Sequence, residues 1–113
     1  MQSKPFPKSE RPVVAIIGGG VSGAGVAYHL ARVNCGEAPV ILVFEPRAEL
    51  GRGLAYDTDD PAHRINVPAA KMSLQPDDLG EFQAWIEARD AVAGDSKAKQ
   101  PDGSLFPRRQ LFG

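Results

Sequence analysis

The feature that constrains the fold most is the glycine-rich stretch at residues 13–30, VVAIIGGGVSGAGVAYHL. The five apolar residues Val13–Ile17, mostly β-branched, predict a strand buried on both faces, as in a parallel sheet. Residues 18–20 are three consecutive glycines and predict a turn. A helix is predicted from Val21, because apolar residues then recur at helical spacing.

A second strand follows this helix. The apolar face of the helix carries Ala24, Ala27, Leu30 and Ala31. The helix is expected to end at Asn34, Cys35 and Gly36, with Gly36 in the left-handed C′ conformation. Val40–Phe44 is again apolar and of strand length, and it ends at Glu45 and Pro46. Two parallel strands joined by a helix form a crossover unit, normally right-handed. Residues 13–46 therefore predict an α/β fold that begins with a Rossmann-like βαβ unit.

Gly18, Gly20 and Gly23 match the pattern G-x-G-x-x-G in the context that gives it meaning, between a predicted strand and a predicted helix. Gly18 permits the tight turn, and Gly20 lets a pyrophosphate approach the backbone. Gly23 lets the helix pack close to the strand. The N–H groups at the helix N-terminus then face the phosphates. The sequence therefore predicts a dinucleotide site.

An acidic residue supports this prediction. Glu45 follows Gly23 by 22 positions, close to the spacing of about 20 that places a carboxylate on the adenosine ribose. Such a carboxylate accepts hydrogen bonds from the ribose hydroxyls and repels a 2′-phosphate, which disfavours NADP at this site. The motif alone leaves FAD and NAD open.

Composition excludes several classes of function. The 113 residues carry a formal net charge of −1, so no basic field predicts binding to nucleic acid or to an anionic membrane. The single cysteine, Cys35, excludes an internal disulfide. No apolar run approaches the roughly 20 residues that span a bilayer. We expect a cytoplasmic chain of one domain, with residues 1–12 as a flexible tail.

The remainder of the chain is less regular. Residues 61–76 predict mostly irregular structure, and a helix is then expected with Asp77 or Asp78 as its cap and Glu81 completing a capping box. Residues 93–104 predict a polar loop, and the apolar residues of 105–112 have nothing after them to pack against. One side of the predicted helix carries Leu79, Phe82, Trp85, Ile86 and Arg89.

Acidic and basic side chains also cluster in this region. The spacing of Asp57, Asp59, Asp60 and His63 matches no metal-binding loop, so no metal site is predicted. Arg47 and Arg52 are candidates to pair with a cofactor phosphate or a carboxylate substrate, and the glycines on both sides of Arg52 favour it over Arg47.

The middle of the chain resembles a family of FAD/NAD(P)-binding oxidoreductases that includes FAD-dependent urate hydroxylases and amino-acid N-monooxygenases. Besides the glycines and Glu45, the resemblance rests on LGRGLAY at residues 50–56, INVPA at 65–69, Met72 with Ser73, the helix carrying Phe82 and Trp85, and FPRRQLFG at 106–113. Together these motifs cover nearly all of residues 13–113.

The resemblance implies an FAD site and a role for this chain as the N-terminal part of an FAD/NAD(P)-binding domain. The glycine turn would hold the pyrophosphate, the turn at residues 51–53 would lie near the flavin, and Asn66 would lie close to the isoalloxazine ring. The residues predicted to bind the cofactor are Gly18, Gly19, Gly20, Val21, Ser22, Gly23, Glu45, Pro46, Arg52, Gly53 and Asn66.

Members of that family are several times longer than this chain, so the domain is expected to be incomplete here. The expected function is that of the FAD-binding segment of a flavin-dependent oxidoreductase, a monooxygenase using NAD(P)H, whose small-molecule substrate binds in a missing region. Alone, the segment is not expected to be catalytically competent, and no catalytic residue is assigned. Two alternatives remain: an NAD-type binding module without catalysis, and a fragment that needs a partner chain or an oligomer to fold and bind.

Overall fold

The computed structural model describes residues 11–33, 36 and 38–113, which form two compact units. The N-terminal unit is Met1–Gly51 and the C-terminal unit is Arg52–Gly113. Residues 1–10 of the predicted tail lie outside the described residues, as do Asn34 and Cys35 of the predicted helix end. The elements are β1 (Val13–Ile17), α1 (Val21–Arg32), β2 (Val40–Phe44), α2 (Gly53–Tyr56), a 3₁₀ turn (Ala69–Lys71), α3 (Glu81–Arg89) and α4 (Arg109–Phe112).

The N-terminal unit is the predicted strand–helix–strand. β1 and β2 pair in parallel, from Val13 opposite Val40 to Ile17 opposite Phe44. The ladder continues past β1, because the Gly18 N–H donates to the Phe44 carbonyl at 2.9 Å. Both strands have the predicted bounds. The parallel pairing is confirmed for these two strands.

The two faces of this sheet differ. α1 packs on one face, and a side chain added at Gly23 would lie 3.3 Å from Ile16 Cγ2. On the other face Val13 is 49% exposed and Ile17 is 83% exposed. The prediction that β1 is buried on both faces is therefore wrong, because a single helix covers a single face of this two-stranded sheet.

α1 ends earlier than its pattern predicts. Val33 leaves the helix in an extended conformation, and its N–H donates to the Leu30 carbonyl at 3.4 Å. Gly36 has the positive φ expected of a C′ glycine, +76°, but it lies beyond that cap. Ala24, Ala27 and Leu30 are half-buried as predicted, whereas Ala31 in the last turn is exposed.

The C-terminal unit holds the buried apolar core. Ile65, Ala69, Phe82, Ile86 and Leu105 form one cluster, on which the aromatic and aliphatic side chains of α2 and α4 pack. The backbones of residues 63–69 and 105–109 join around this cluster: Ile65 N–H donates to the Pro107 carbonyl at 3.1 Å and Ala69 N–H to the Leu105 carbonyl at 2.9 Å.

The end of the chain is therefore packed, contrary to expectation. Phe112 lies 4.9 Å from Phe82 and 5.1 Å from Tyr56, centroid to centroid. Leu105 is only 7% exposed. The partners of these residues come from earlier in the chain. The expectation was wrong because it considered only residues that follow them.

α3 is present but shorter than predicted, and the capping box is wrong. Its N-cap is Gly80, with no side-chain cap. The Glu81 N–H instead donates to the Asp78 carbonyl at 3.2 Å, so a turn occupies the place where the capped first turn was expected. Of the predicted apolar side, Phe82 and Ile86 are buried, but Leu79, which precedes the helix, is 64% exposed.

Candidate functional site

In the turn between β1 and α1, two positions require glycine for different reasons. Gly18 has φ +95°, a conformation that side chains disfavour, although a Cβ there would meet nothing within 4 Å. Gly23 is limited by space, since a Cβ would overlap the Gly18 carbonyl oxygen. The close packing predicted for Gly23 is confirmed. Contact of either glycine with a cofactor stays a prediction.

Gly19, the variable position of the motif, is the most enclosed residue of the turn. A Cβ on it would lie 2.6 Å from Leu50 Cδ2 and 2.9 Å from Glu45 Cβ. Its carbonyl accepts the Gly51 N–H at 2.7 Å. Residues 50 and 51 therefore support the turn, a role that sequence reasoning missed. The only sequence signal for it was that the glycines are three in a row.

The N-terminus of α1 is open to an anion. Gly20 is the N-cap and has no side chain to satisfy the first N–H groups, and the first turn contains no acidic residue. The N–H groups of the first turn, including those of Val21 and Ser22, have no partners within the helix. With the positive end of the helix dipole, they form the kind of site that binds phosphate groups.

Glu45 links the end of β2 to the glycine turn. Its Oε2 accepts the Gly19 N–H at 2.8 Å, and its Oε1 accepts the Arg47 N–H at 3.0 Å. The guanidinium of Arg47 lies 3.5 Å from the same Oε1. The Arg47 N–H, followed by the Gly19 N–H, lowers the pKa of the Glu45 carboxyl.

Glu45 is therefore an ionised acceptor at neutral pH. Its side chain is only 6% exposed, which fixes the carboxylate beside the turn. A carboxylate has about four lone-pair sites, so acceptor capacity remains for hydroxyl donors. Sequence reasoning identified Glu45 but not its bond to Gly19.

The predicted cofactor residues fall into two groups. Those of the glycine turn lie together with Glu45 in the N-terminal unit, where Pro46 is exposed. Arg52, Gly53 and Asn66 belong to the C-terminal unit. There Gly53 starts α2 with φ +58°, and Asn66 is exposed next to the buried Ile65.

Sequence reasoning also missed an ion pair in the C-terminal unit. Arg64 binds Asp95 with both guanidinium NH groups, Nη2 to Oδ1 at 2.7 Å and Nη1 to Oδ2 at 3.0 Å. The hydrogen bonds from Arg64 lower the pKa of the Asp95 carboxyl, and those to Asp95 raise the pKa of Arg64. The two residues are 31 positions apart, so no local pattern marks them.

His63 contacts two side chains of its own loop, the Thr58 hydroxyl and the Asp60 carboxylate. Thr58 Oγ1 lies 2.7 Å from His63 Nδ1, and Asp60 Oδ2 lies 3.9 Å from Nε2. Among residues 11–33, 36 and 38–113, no three side chains of the metal-ligating types are grouped closely enough to hold an ion. Within the same residues, no helix has the length and apolar character needed to cross a membrane.

Comparison with known proteins gives one positive result. A protein-family model described as FAD-NAD(P)-binding matches residues 15–113, which include the glycine turn, Glu45 and nearly all of the described chain. No curated protein and no solved structure matches the sequence.

Proposed function

The chain belongs to the FAD-NAD(P)-binding family, and we propose that it binds FAD as the N-terminal segment of a flavin-dependent oxidoreductase. The proposal rests on one observation. The N-terminus of α1 has no side-chain cap, and the ionised carboxylate of Glu45, at the end of the neighbouring strand, binds the turn just before it. A dinucleotide has a pyrophosphate for the first and ribose hydroxyls for the second.

The residues of the N-terminal unit fit these two groups by chemistry. The N–H groups of Val21 and Ser22 would donate to the pyrophosphate, and Gly20, which has no side chain, would let it approach. Glu45 would accept the ribose hydroxyls with the lone pairs not already bonded to Gly19 and Arg47. In this arrangement Glu45 positions the turn and binds the ribose with one carboxylate.

The choice of FAD depends on the resemblance in the middle of the chain. The Glu45 carboxylate disfavours a 2′-phosphate but accepts the ribose of FAD or NAD equally. The LGRGLAY and INVPA motifs at residues 50–56 and 65–69 favour FAD. The same resemblance supports the finer proposal of a monooxygenase that uses NAD(P)H, with Arg52, Gly53 and Asn66 on the flavin side.

The flavin would supply the redox chemistry, and this chain would supply binding and orientation. Glu45 and the helix N-terminus would fix the adenosine end, which sets the direction in which the rest of the cofactor extends. The substrate is proposed to bind outside the present sequence. The location proposed for the complete enzyme is the cytoplasm.

The visible absorption spectrum of the purified chain titrated with FAD tests the proposal. We expect a flavin spectrum that shifts on binding. Gly20→Val should weaken FAD binding at least about tenfold by blocking the pyrophosphate, and Glu45→Ala should weaken it by a similar factor through loss of the ribose hydrogen bonds.

Two matched variants, one at the N-cap of α3 and one within α3, control for general effects. Gly80→Val adds the same side chain where a Cβ meets nothing within 4 Å, and Glu87→Ala removes a carboxylate from an exposed site. Both should bind FAD as the unchanged chain does. FAD binding that ignores Gly20→Val and Glu45→Ala would overturn the assignment of the glycine turn. Binding of NAD without binding of FAD would favour the NAD-type module instead.

A further inference from the structure

The C-terminal unit contains a short, tight hairpin. Lys99 and Leu105 form an antiparallel β-bridge, and inside it the Gln100 N–H donates to the Ser104 carbonyl at 2.9 Å. The loop at the tip is residues 101–103, with the sequence Pro-Asp-Gly. This sequence is typical of a tight turn, because proline presets the first dihedral angle and the aspartate and glycine suit the positions after it.

An aspartate followed by glycine is prone to a spontaneous rearrangement of the backbone. The glycine nitrogen attacks the carboxyl carbon of the aspartate side chain, and a succinimide ring closes with loss of water, which takes a carboxyl oxygen, the carboxyl proton and the amide proton. A water molecule then opens the ring. Attack at the side-chain carbonyl restores aspartate, whereas attack at the backbone carbonyl leaves an isoaspartyl linkage. Glycine favours ring closure because it has no side chain to hinder the approach of its nitrogen.

The hairpin engages the nitrogen that would attack. The Gly103 N–H donates to the Gln100 carbonyl at 2.9 Å across the turn. Gly103 itself has φ +89°, as in the three-residue hairpin loop in which a glycine of positive φ follows a turn. Ring closure requires the nitrogen to lose its proton and to turn toward the Asp102 side chain. The hydrogen bond to Gln100 must therefore break before the reaction can begin.

The carboxyl group that would be attacked is engaged as well. Asp102 Oδ1 accepts the Ser104 N–H at 2.9 Å and also accepts the Ser104 hydroxyl. The Ser104 hydroxyl, followed by the Ser104 N–H, lowers the pKa of the Asp102 carboxyl. An ionised carboxylate is a poor electrophile, because an oxygen can leave as water only after protonation. Both reacting groups therefore have partners in the folded hairpin.

We infer that Asp102–Gly103 is a latent site of isoaspartate formation, which the folded hairpin keeps unreactive and which reacts when the hairpin opens. The rearrangement would add the Cβ of Asp102 to the backbone and lengthen the loop. The bridge between Lys99 and Leu105 would then no longer close in its present register. Leu105 is 7% exposed and belongs to the buried cluster, so modification of the loop would loosen the core.

Oxygen labelling of the full chain tests the inference. Ring opening in heavy-oxygen water transfers an oxygen atom from the solvent to the residue, and mass spectrometry of the tryptic peptide 100–108, digested in ordinary water, measures it. We expect the folded chain at neutral pH to incorporate label at least about tenfold more slowly than the chain unfolded in guanidinium chloride. Equal rates would overturn the inference, as would absence of label from this peptide in the unfolded chain.

Variants at Ser104 test the part played by the carboxyl group. Ser104→Ala removes the hydroxyl bound to Asp102, so it should label severalfold faster than the unchanged chain when folded and at the same rate when unfolded. Ser104→Thr keeps a hydroxyl and should label as the unchanged chain does. Ser96→Ala, at an exposed position outside the hairpin, is the matched control. Labelling of folded Ser104→Ala at the unchanged rate would overturn the role given to this hydroxyl.

The fluorescence of Trp85 shows whether each variant is folded. If Ser104→Ala fails to fold, the comparison of the folded and unfolded forms of the unchanged chain still decides the inference. The inference does not depend on FAD binding at the glycine turn, because every residue used lies in the C-terminal unit. Failure of FAD to bind would count against the proposed function alone.

Discussion

The two units of this chain reach order in opposite ways. The N-terminal unit is regular, with two paired strands and the longest helix, yet Gly19 is the only buried residue among its described positions. The C-terminal unit has only short helices and turns, yet it contains Ile65, Ile86 and the rest of the buried cluster. Regular secondary structure and a buried core are therefore separate properties here.

This difference agrees with the proposed role of the N-terminal unit, which is to bind a dinucleotide. The N-terminal unit presents the backbone groups of a helix N-terminus and one carboxylate that is held beside the glycine turn. The C-terminal unit owes its cohesion to side-chain burial and to pairing between distant segments. Truncating side chains should therefore affect the second unit more than the first.

The largest effect is expected from Ile86→Ala. Ile86 is 1% exposed in the core of the C-terminal unit, so the substitution should lower the free energy of unfolding by about 2–5 kcal/mol. Urea unfolding followed by the fluorescence of Trp85, the only tryptophan, measures this.

Two truncations at exposed sites provide the contrast. Leu79→Ala and Ile17→Ala remove side chains that are 64% and 83% exposed, and each should change stability by less than about 0.5 kcal/mol. An effect of Ile17→Ala as large as that of Ile86→Ala would show that β1 carries a core of its own and would remove the distinction between the units.

Gly23→Ala is expected to have the next largest effect, and it acts on the N-terminal unit through backbone packing. The added methyl would overlap the Gly18 carbonyl oxygen, and overpacking of this kind costs about 1–3 kcal/mol. Amide hydrogen exchange of Val40–Phe44 should show the loss of protection. Gly80→Ala, which meets open space, is the control, and equal exchange rates in the two variants would contradict the packing role of Gly23.

A smaller effect is expected from Asp95→Asn. In the ion pair, the Asp95 side chain is 15% exposed and the Arg64 side chain is 21% exposed. Loss of this pair should lower the free energy of unfolding by about 1 kcal/mol. The pH dependence has a definite sign. Because the pKa of Asp95 is lowered in the folded chain, the pair contributes fully above the ordinary value of 3.8 and is lost as the pH falls through the lowered value.

Urea unfolding of the unchanged chain and of Asp95→Asn at several pH values tests this dependence. The difference between the two should be constant near neutrality and should shrink in acid below the ordinary pKa of an aspartate. Asp77→Asn, an exposed carboxylate in the same unit, controls for general charge effects. A difference that grew in acid would contradict the sign.

The sequence predicted β1, α1 and β2 well, because their signals are local. A run of apolar residues marks each strand, and the glycine turn between Ile17 and Val21 marks the start of the helix. α3 was found but begins later than predicted. The Ser73 hydroxyl lies 2.6 Å from the Asp78 carbonyl and helps to hold the preceding turn. That contact spans five residues and involves backbone, so a capping pattern does not reveal it.

The local contacts of the candidate site were predictable to the same extent. The positions of Gly18, Gly23 and Glu45 follow from a motif whose physical reasons are known. The bond between Glu45 and Gly19 and the pair between Arg64 and Asp95 join residues 26 and 31 positions apart. Such contacts depend on how segments fold back on one another, which spacing along the chain does not encode.

The pairing of residues 63–69 with 105–109 also sets an order of events during synthesis. The N-terminal strands pair residues only 27 positions apart, such as Val13 and Val40, so their unit has all its parts while much of the chain is still unmade. In contrast, the hydrogen bond from Arg64 to the Phe106 carbonyl cannot form until 42 more residues have been synthesised. Until that segment leaves the ribosome, Ile65 and Ile86 have no closed core, and their apolar surface is available to chaperones. Of these two units, the regular one is ready first and the buried one closes later.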